Sequence, residues 1–137
     1  MREDSDTPSA LVALPPVTAA GVADIRERVA DAARETGLSP DRVNGFTVAV
    51  HEIVINAVEH GGGTAAVTLI LEVGRLVVEI ADTGSAPWQF RVPAEAPPPD
   101  QLNGRGLWLA DKLSDELTVD TAAGKRLVRL TANADAA

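Results

Sequence analysis

The chain of 137 residues contains no cysteine and no tyrosine, and only two tryptophans, two phenylalanines and two histidines. Without cysteine there is no disulfide, no thiolate nucleophile and no Cys-ligated zinc. With His51 and His60 as the only imidazoles, a three-histidine metal site is excluded too. Long apolar runs are missing: nothing approaches the ~18 residues of a membrane span. The opening residues Met1-Arg2-Glu3-Asp4-Ser5-Asp6 are charged and carry no apolar segment of the kind a secretory signal needs. Basic residues are in deficit, 12 against 20 acidic, for a net charge of −8. A basic face for nucleic-acid phosphates is therefore not expected. What is present is ordinary for a globular domain, with 45% hydrophobic and 23% charged residues. The length suits one domain that buries its core without staples. Together these features predict an acidic cytoplasmic protein.

Residues 1–8 read as a disordered tail, 9–131 as a single domain, and 132–137 as a second loose tail. Ala10 to Leu14 reads as a strand stopped by Pro15-Pro16. Helical spacing of Val22, Ile25 and Val29 predicts a helix from Thr18 to about Glu35, stopped by Gly37. Ser39-Pro40 reads as a cap followed by proline at the first helical position, opening a second helix that ends at His60 before Gly61-Gly62-Gly63. Strands are expected over Thr64–Val73 and Leu76–Ala81, with Gly74-Arg75 as a two-residue hairpin turn. A proline-bearing loop over 83–103 exceeds the ~12–15 residues beyond which a loop is usually functional or disordered. A short helix from Gly106 to Leu113 follows. Strands Leu117–Asp120 and Leu127–Leu130 then flank a turn over Thr121–Gly124. The expected architecture is α+β: a two-layer α/β sandwich with a mixed, mostly antiparallel sheet packed against helices.

Three short motifs carry chemistry. On the second helix, at about 100° per residue, Val43, Phe46, Val50, Ile53, Val54, Ala57 and Val58 cover most of the circumference. Glu52, Asn56, Glu59 and His60 share the remaining stripe. Such a stripe can simply face water. On a helix this apolar, a carboxylate and a carboxamide at i, i+4 also offer a base or hard oxygen ligands. Magnesium takes a few such oxygens, with waters and phosphates completing its shell. The second motif, Glu79-Ile80-Ala81-Asp82-Thr83-Gly84, is either a plain strand exit or a base pocket. In the pocket reading Asp82 accepts a hydrogen bond from an exocyclic amine, and Gly84 lets backbone approach a flat ring. Adenine has that amine where guanine has a carbonyl. The third, Asn103-Gly104-Arg105-Gly106-Leu107, is either a flexible helix start or a phosphate cradle of backbone N–H groups with Arg105 adding charge. Neither a dinucleotide fingerprint nor a Walker A loop is present.

In this order and context the three motifs resemble the GHKL, or Bergerat-fold, ATP-binding superfamily. Within it they are most similar to the small anti-sigma-factor serine/threonine kinases of bacterial partner-switching systems. The resemblance covers residues 9–131. It implies that Glu52 is the general base and Asn56 a Mg2+ ligand, with His60 and Gly61 completing the phosphate end. It implies that Asp82 and Gly84 bind adenine. Gly104, Arg105, Gly106 and Leu107 would bind ATP beneath a lid over 85–103. The sequence departs from the family pattern at two places. Ala86, followed by Pro87, stands where the family has a second glycine, and alanine resists φ > 0. Lys125-Arg126 follows Gly124, where relatives often carry threonine.

The resemblance implies a Mg-ATP-dependent serine/threonine kinase. It would phosphorylate a protein antagonist and sequester a sigma factor, as a possible homodimer with no nucleic-acid or membrane partner. An ATP-gated binding module without useful transferase activity is the alternative that the two departures keep open. A detached histidine-kinase catalytic domain fits less well, since both histidines sit on the ATP-site helix.

Overall fold

The computed structural model describes residues 9–60, 63–82, 95, 105–122 and 125–134. The expected lid over 85–103, apart from Glu95, lies outside them, as do Gly61, Gly84 and Gly104. Strand β1 (Ser9–Ala13) is followed by a 3-10 turn (Ala19–Gly21), then helices α1 (Val22–Glu35) and α2 (Pro40–His60). Strands β2 (Ala66–Glu72) and β3 (Arg75–Asp82), helix α3 (Arg105–Leu113), and strands β4 (Glu116–Ala122) and β5 (Lys125–Asn133) complete the order.

The strands form one sheet in the order β1-β2-β3-β5-β4. Every neighbouring pair is antiparallel, so the sheet is not mixed. Its helix-facing side carries Val67 and Leu69 of β2, Leu76, Val78 and Ile80 of β3, and Val128, Leu130 and Ala132 of β5, all buried. Against this surface pack Ile25, Val29 and Ala33 of α1 with Phe46, Val50, Ile53, Val54 and Ala57 of α2. Helix α2 touches α1, α3 and the sheet. A helix covered on three sides must be apolar nearly all round, as its sequence is.

Several boundaries differ from the sequence expectation, each for a physical reason. The hairpin turn is Val73-Gly74, closed by the pair Glu72–Arg75, because the positive φ (+76°) falls on Gly74 as the second turn residue. Strand β3 runs on through Asp82, and β5 begins at Lys125 and continues to Asn133. Polar residues end these strands because cross-strand pairing satisfies them. The loose tail expected over 132–137 therefore starts too early. Ala132 is buried in β5, and the Ala134 N–H donates to the Gly74 carbonyl at 2.7 Å.

Candidate active site

Helix α2 presents Glu52 and Asn56 one turn apart, both half-buried, while Glu59 is exposed. Neither Glu52 nor Asn56 makes a hydrogen bond or ion pair with another described residue. Helix α3 runs antiparallel to α2 across this face, shown by two glycine contacts. A Cβ placed on Gly45 would lie 3.4 Å from Leu113 Cδ2, and one on Gly106 would lie 2.7 Å from Glu52 Oε1. The latter distance is shorter than any real Cβ tolerates, so the Glu52 carboxylate occupies space that exists because residue 106 is glycine. The carboxylate thus lies against the first turn of α3, the end of a helix that favours negative charge. Leu107, one residue on, is buried in the core, so its contribution is to seat this turn. Within the same helix Trp108 is half-buried with the Lys112 ammonium 5.9 Å from its ring centre.

Asp82 ends the helix-facing row of β3, following Leu76, Val78 and Ile80 at alternate positions. Because Ala66 pairs with Ala81, and β2 starts just beyond the end of α2, the topology brings Asp82 to the same end of the domain as His60. The side chain of Asp82 is 6% exposed, and that of Arg126, its register partner on β5, is 10% exposed. Arg126 Nη2 donates to Asp82 Oδ1 at 2.9 Å, and Nε donates to Oδ2 at 3.3 Å. In the sequence Arg126 stands out only as part of Lys125-Arg126, the departure after Gly124. Opposite charges at Asp82 and Arg126 were the available signal, but with strands expected to stop at Ala81 and start at Leu127 the two never came into register.

The structure thus brings Glu52 and Gly106 into one contact, with Asn56 on the next turn of α2 and Leu107 buried in the core beside Gly106, and sets Asp82 at the neighbouring sheet end. For His60 and Arg105 it gives the backbone alone: the last residue of α2 and the first of α3. Among the described residues no group of three or more His, Cys, Asp or Glu could hold a metal ion. Any cation at Glu52 and Asn56 would need oxygens from water or a bound phosphate, which is the way magnesium is usually held.

Residues 16–132 match the histidine kinase-like ATPase domain family. The chain belongs to that family. This ATPase domain also resembles, in fold, the crystal structure of the RsbU and RsbW domains of Rv1364c from Mycobacterium tuberculosis, with a TM-score of 0.64. Sequence identity is 22%, over 92% of this chain and 32% of that one, so the domain spans about a third of the length of its structural neighbour. No functionally curated protein matches. Among the described residues, no helix of the ATPase domain is long and apolar enough to cross a membrane.

Proposed function

We propose that the protein is a cytoplasmic, ATP-dependent serine/threonine kinase that acts as an anti-sigma factor in a partner-switching system and phosphorylates a protein antagonist. The observation that carries this reading is the half-buried Glu52 carboxylate, fitted against the α3 helix start at Gly106 within an ATPase-family fold. A domain that only bound nucleotide would have no need of a base held there.

In the proposed step the serine or threonine hydroxyl oxygen attacks the γ-phosphorus of ATP. Its proton passes to a Glu52 carboxylate oxygen, while the bond to the β,γ-bridging oxygen breaks and ADP departs. Phosphoryl transfer asks mostly for positioning and charge stabilisation, and a well-placed base adds ~10²–10⁴-fold. Magnesium, when bound, neutralises charge on the phosphates. The Asn56 carboxamide oxygen would be its protein ligand, and His60, Gly61, Gly104, Arg105 and Gly106 would line the phosphate end. Asp82, with Gly84 beside it, would accept the adenine amine. Residues 85–103 would form the lid of a single domain over 9–131. The sigma factor and a homodimeric state complete the proposed assembly.

The decisive test uses γ-labelled ATP with magnesium and proteins captured from the native cell. Label on a serine or threonine of a captured antagonist, lost with Glu52→Gln, supports the kinase. ATP-dependent capture with no label on either partner identifies an ATP-gated binding module instead.

A further inference from the structure

The two edges of the sheet are built differently. At the β4 edge Glu116 and Asp120 are exposed, and charges of this kind keep a sheet edge from pairing with other chains. Strand β1, at the other edge, reads Ser9-Ala10-Leu11-Val12-Ala13, with no charge, no proline and no bulge in its register with β2. Ala10 to Ala13 are all exposed, Leu11 by 70% and Val12 by 38%. Among the described residues no strand pairs with the outer side of β1. One contact fixes the backbone direction there: the Leu14 N–H donates to the Val67 carbonyl at 3.0 Å. Successive residues of an antiparallel strand turn their N–H and C=O groups to alternate sides. Ala10 and Val12 therefore bond toward β2, while Ser9, Leu11 and Ala13 present their backbone groups to the open edge.

We infer that this edge pairs antiparallel with β1 of a second copy of the chain, centred on Leu11, so that one sheet runs through both copies. The inference rests on the homodimeric state proposed above and gives it an interface. A two-fold axis perpendicular to the sheet keeps each side chain on its own face and sets one residue opposite its own copy. Centring on Leu11, the middle of the strand, uses every free group. Leu11 exchanges both bonds with Leu11 of the second copy, and Ser9 does the same with Ala13 at either end. Pro8 and Pro15 have no N–H and confine the ladder to this length. Charge favours a second copy as the occupant, because self-pairing brings a strand's own charges against each other and β1 has none. Leu11 meets Leu11 beside Ile70, its neighbour on β2, and Val12 meets Ala10 on the opposite face. Glu72, the acidic residue paired with Ser9, is already matched by Arg75 at 3.6 Å. The same operation on β4 about Thr118 would set Glu116 against Asp120, and like charges directly opposite repel. With a net charge of −8 on each copy, an uncharged edge is where two copies approach at least electrostatic cost.

Sedimentation equilibrium on the full chain, over a range of concentrations, tests the pairing. Wild type is expected to dimerise. Leu11→Lys sets a charge directly against its copy at an exposed position, and Ala13→Pro removes an N–H that β1 does not give to β2. Each should raise the dissociation constant by about tenfold or more, with circular dichroism showing both variants folded. Because the chain has no cysteine, single substitutions then read the register. Leu11→Cys should crosslink under an oxidant, since Cα atoms opposite each other lie ~5.5 Å apart, within reach of a disulfide. Ala13→Cys should not, because it stands about four residues along the strand from its copy, or ~13 Å. A wild type that stays monomeric at every concentration overturns the inference and the homodimeric reading together. A dimer as tight in either edge variant as in wild type overturns the β1 interface and leaves the homodimeric reading standing. So does a dimer that Leu11→Cys crosslinks no better than Ala13→Cys.

Discussion

The two ends of the domain use the same chemistry for opposite purposes. At one end the first turn of α2 meets the ends of the sheet. Arg42 pairs with Asp115 beyond α3, and Asp115 also accepts the Asn133 N–H at 2.7 Å. The Asp115 N–H in turn donates to the Thr131 carbonyl at 2.8 Å. Both Arg42 and Asp115 side chains are about one-third exposed, so water competes for them and the pair acts as an outer clasp. At the other end Asp82 and Arg126 form a pair sealed from water, and Glu52 and Asn56 stand half-buried without partners among the described residues. Folding alone would favour satisfying or exposing those two groups. Polar capacity kept partly buried and unspent marks the end where a ligand belongs.

The sharpest way to break this contrast is Glu52→Gln. The change is nearly isosteric and removes basicity, so ATP binding should persist while transfer to the antagonist falls by ~10²–10⁴-fold. Single-turnover measurements at saturating ATP check it, and transfer at the wild-type rate would remove Glu52 as base.

The next effect compares the two aspartates by denaturant unfolding without nucleotide. Asp82→Asn strips the carboxylate charge from a buried guanidinium, and breaking such a pair from one side costs about 3–5 kcal/mol. Asp115→Asn disturbs a solvent-screened pair and should cost about 1 kcal/mol. Equal losses would mean that the two ends are built alike. A smaller change, of about tenfold or ~1.4 kcal/mol, is expected for Asn56→Ala in ATP affinity, in magnesium and not in EDTA. Equal loss in both conditions would assign Asn56 to the nucleotide itself or to folding.

Much of the anchored end was legible in the sequence, and less of the ligand end. Helix α2 was bounded correctly at Pro40 and His60, since Ser39-Pro40 and the glycine run are local signals that act within a turn. The Arg42 N–H does meet the Ser39 hydroxyl, at a long 3.4 Å. The layers followed from apolar periodicity, which dictates burial directly. The full length of β5 did not follow, because Arg126 and Asn133 read as polar breaks until their partners on β3 and the α3–β4 turn are known. Arg129 finds Glu79 at 2.5 Å on the face of the sheet away from the helices. Pairing between residues 44 or 50 positions apart is a property of topology, and a linear pattern carries no trace of it. Gly106 shows the same limit. Its sequence reading as part of a phosphate cradle gives no hint that its missing side chain makes room for a carboxylate on another helix.

That room supplies the smallest and most discriminating change, Gly106→Ala. Alanine raises helix propensity over glycine by up to about 1 kcal/mol, so unfolding should shift slightly toward greater stability. The new methyl cannot sit 2.7 Å from Glu52 Oε1. The cheapest response is rotation of the flexible carboxylate by several tenths of an ångström, since the Glu52 Cβ at 3.5 Å is in ordinary contact. A misplacement of 1 Å in a catalytic group can cost ~10²-fold, so a smaller one should lower transfer several-fold to about tenfold. Stability and activity therefore move in opposite directions, whereas damage to the fold would lower both. Thermal unfolding measured beside single-turnover transfer separates the cases, and a Gly106→Ala protein with undiminished transfer would show that the observed position of Glu52 is not the one from which it works.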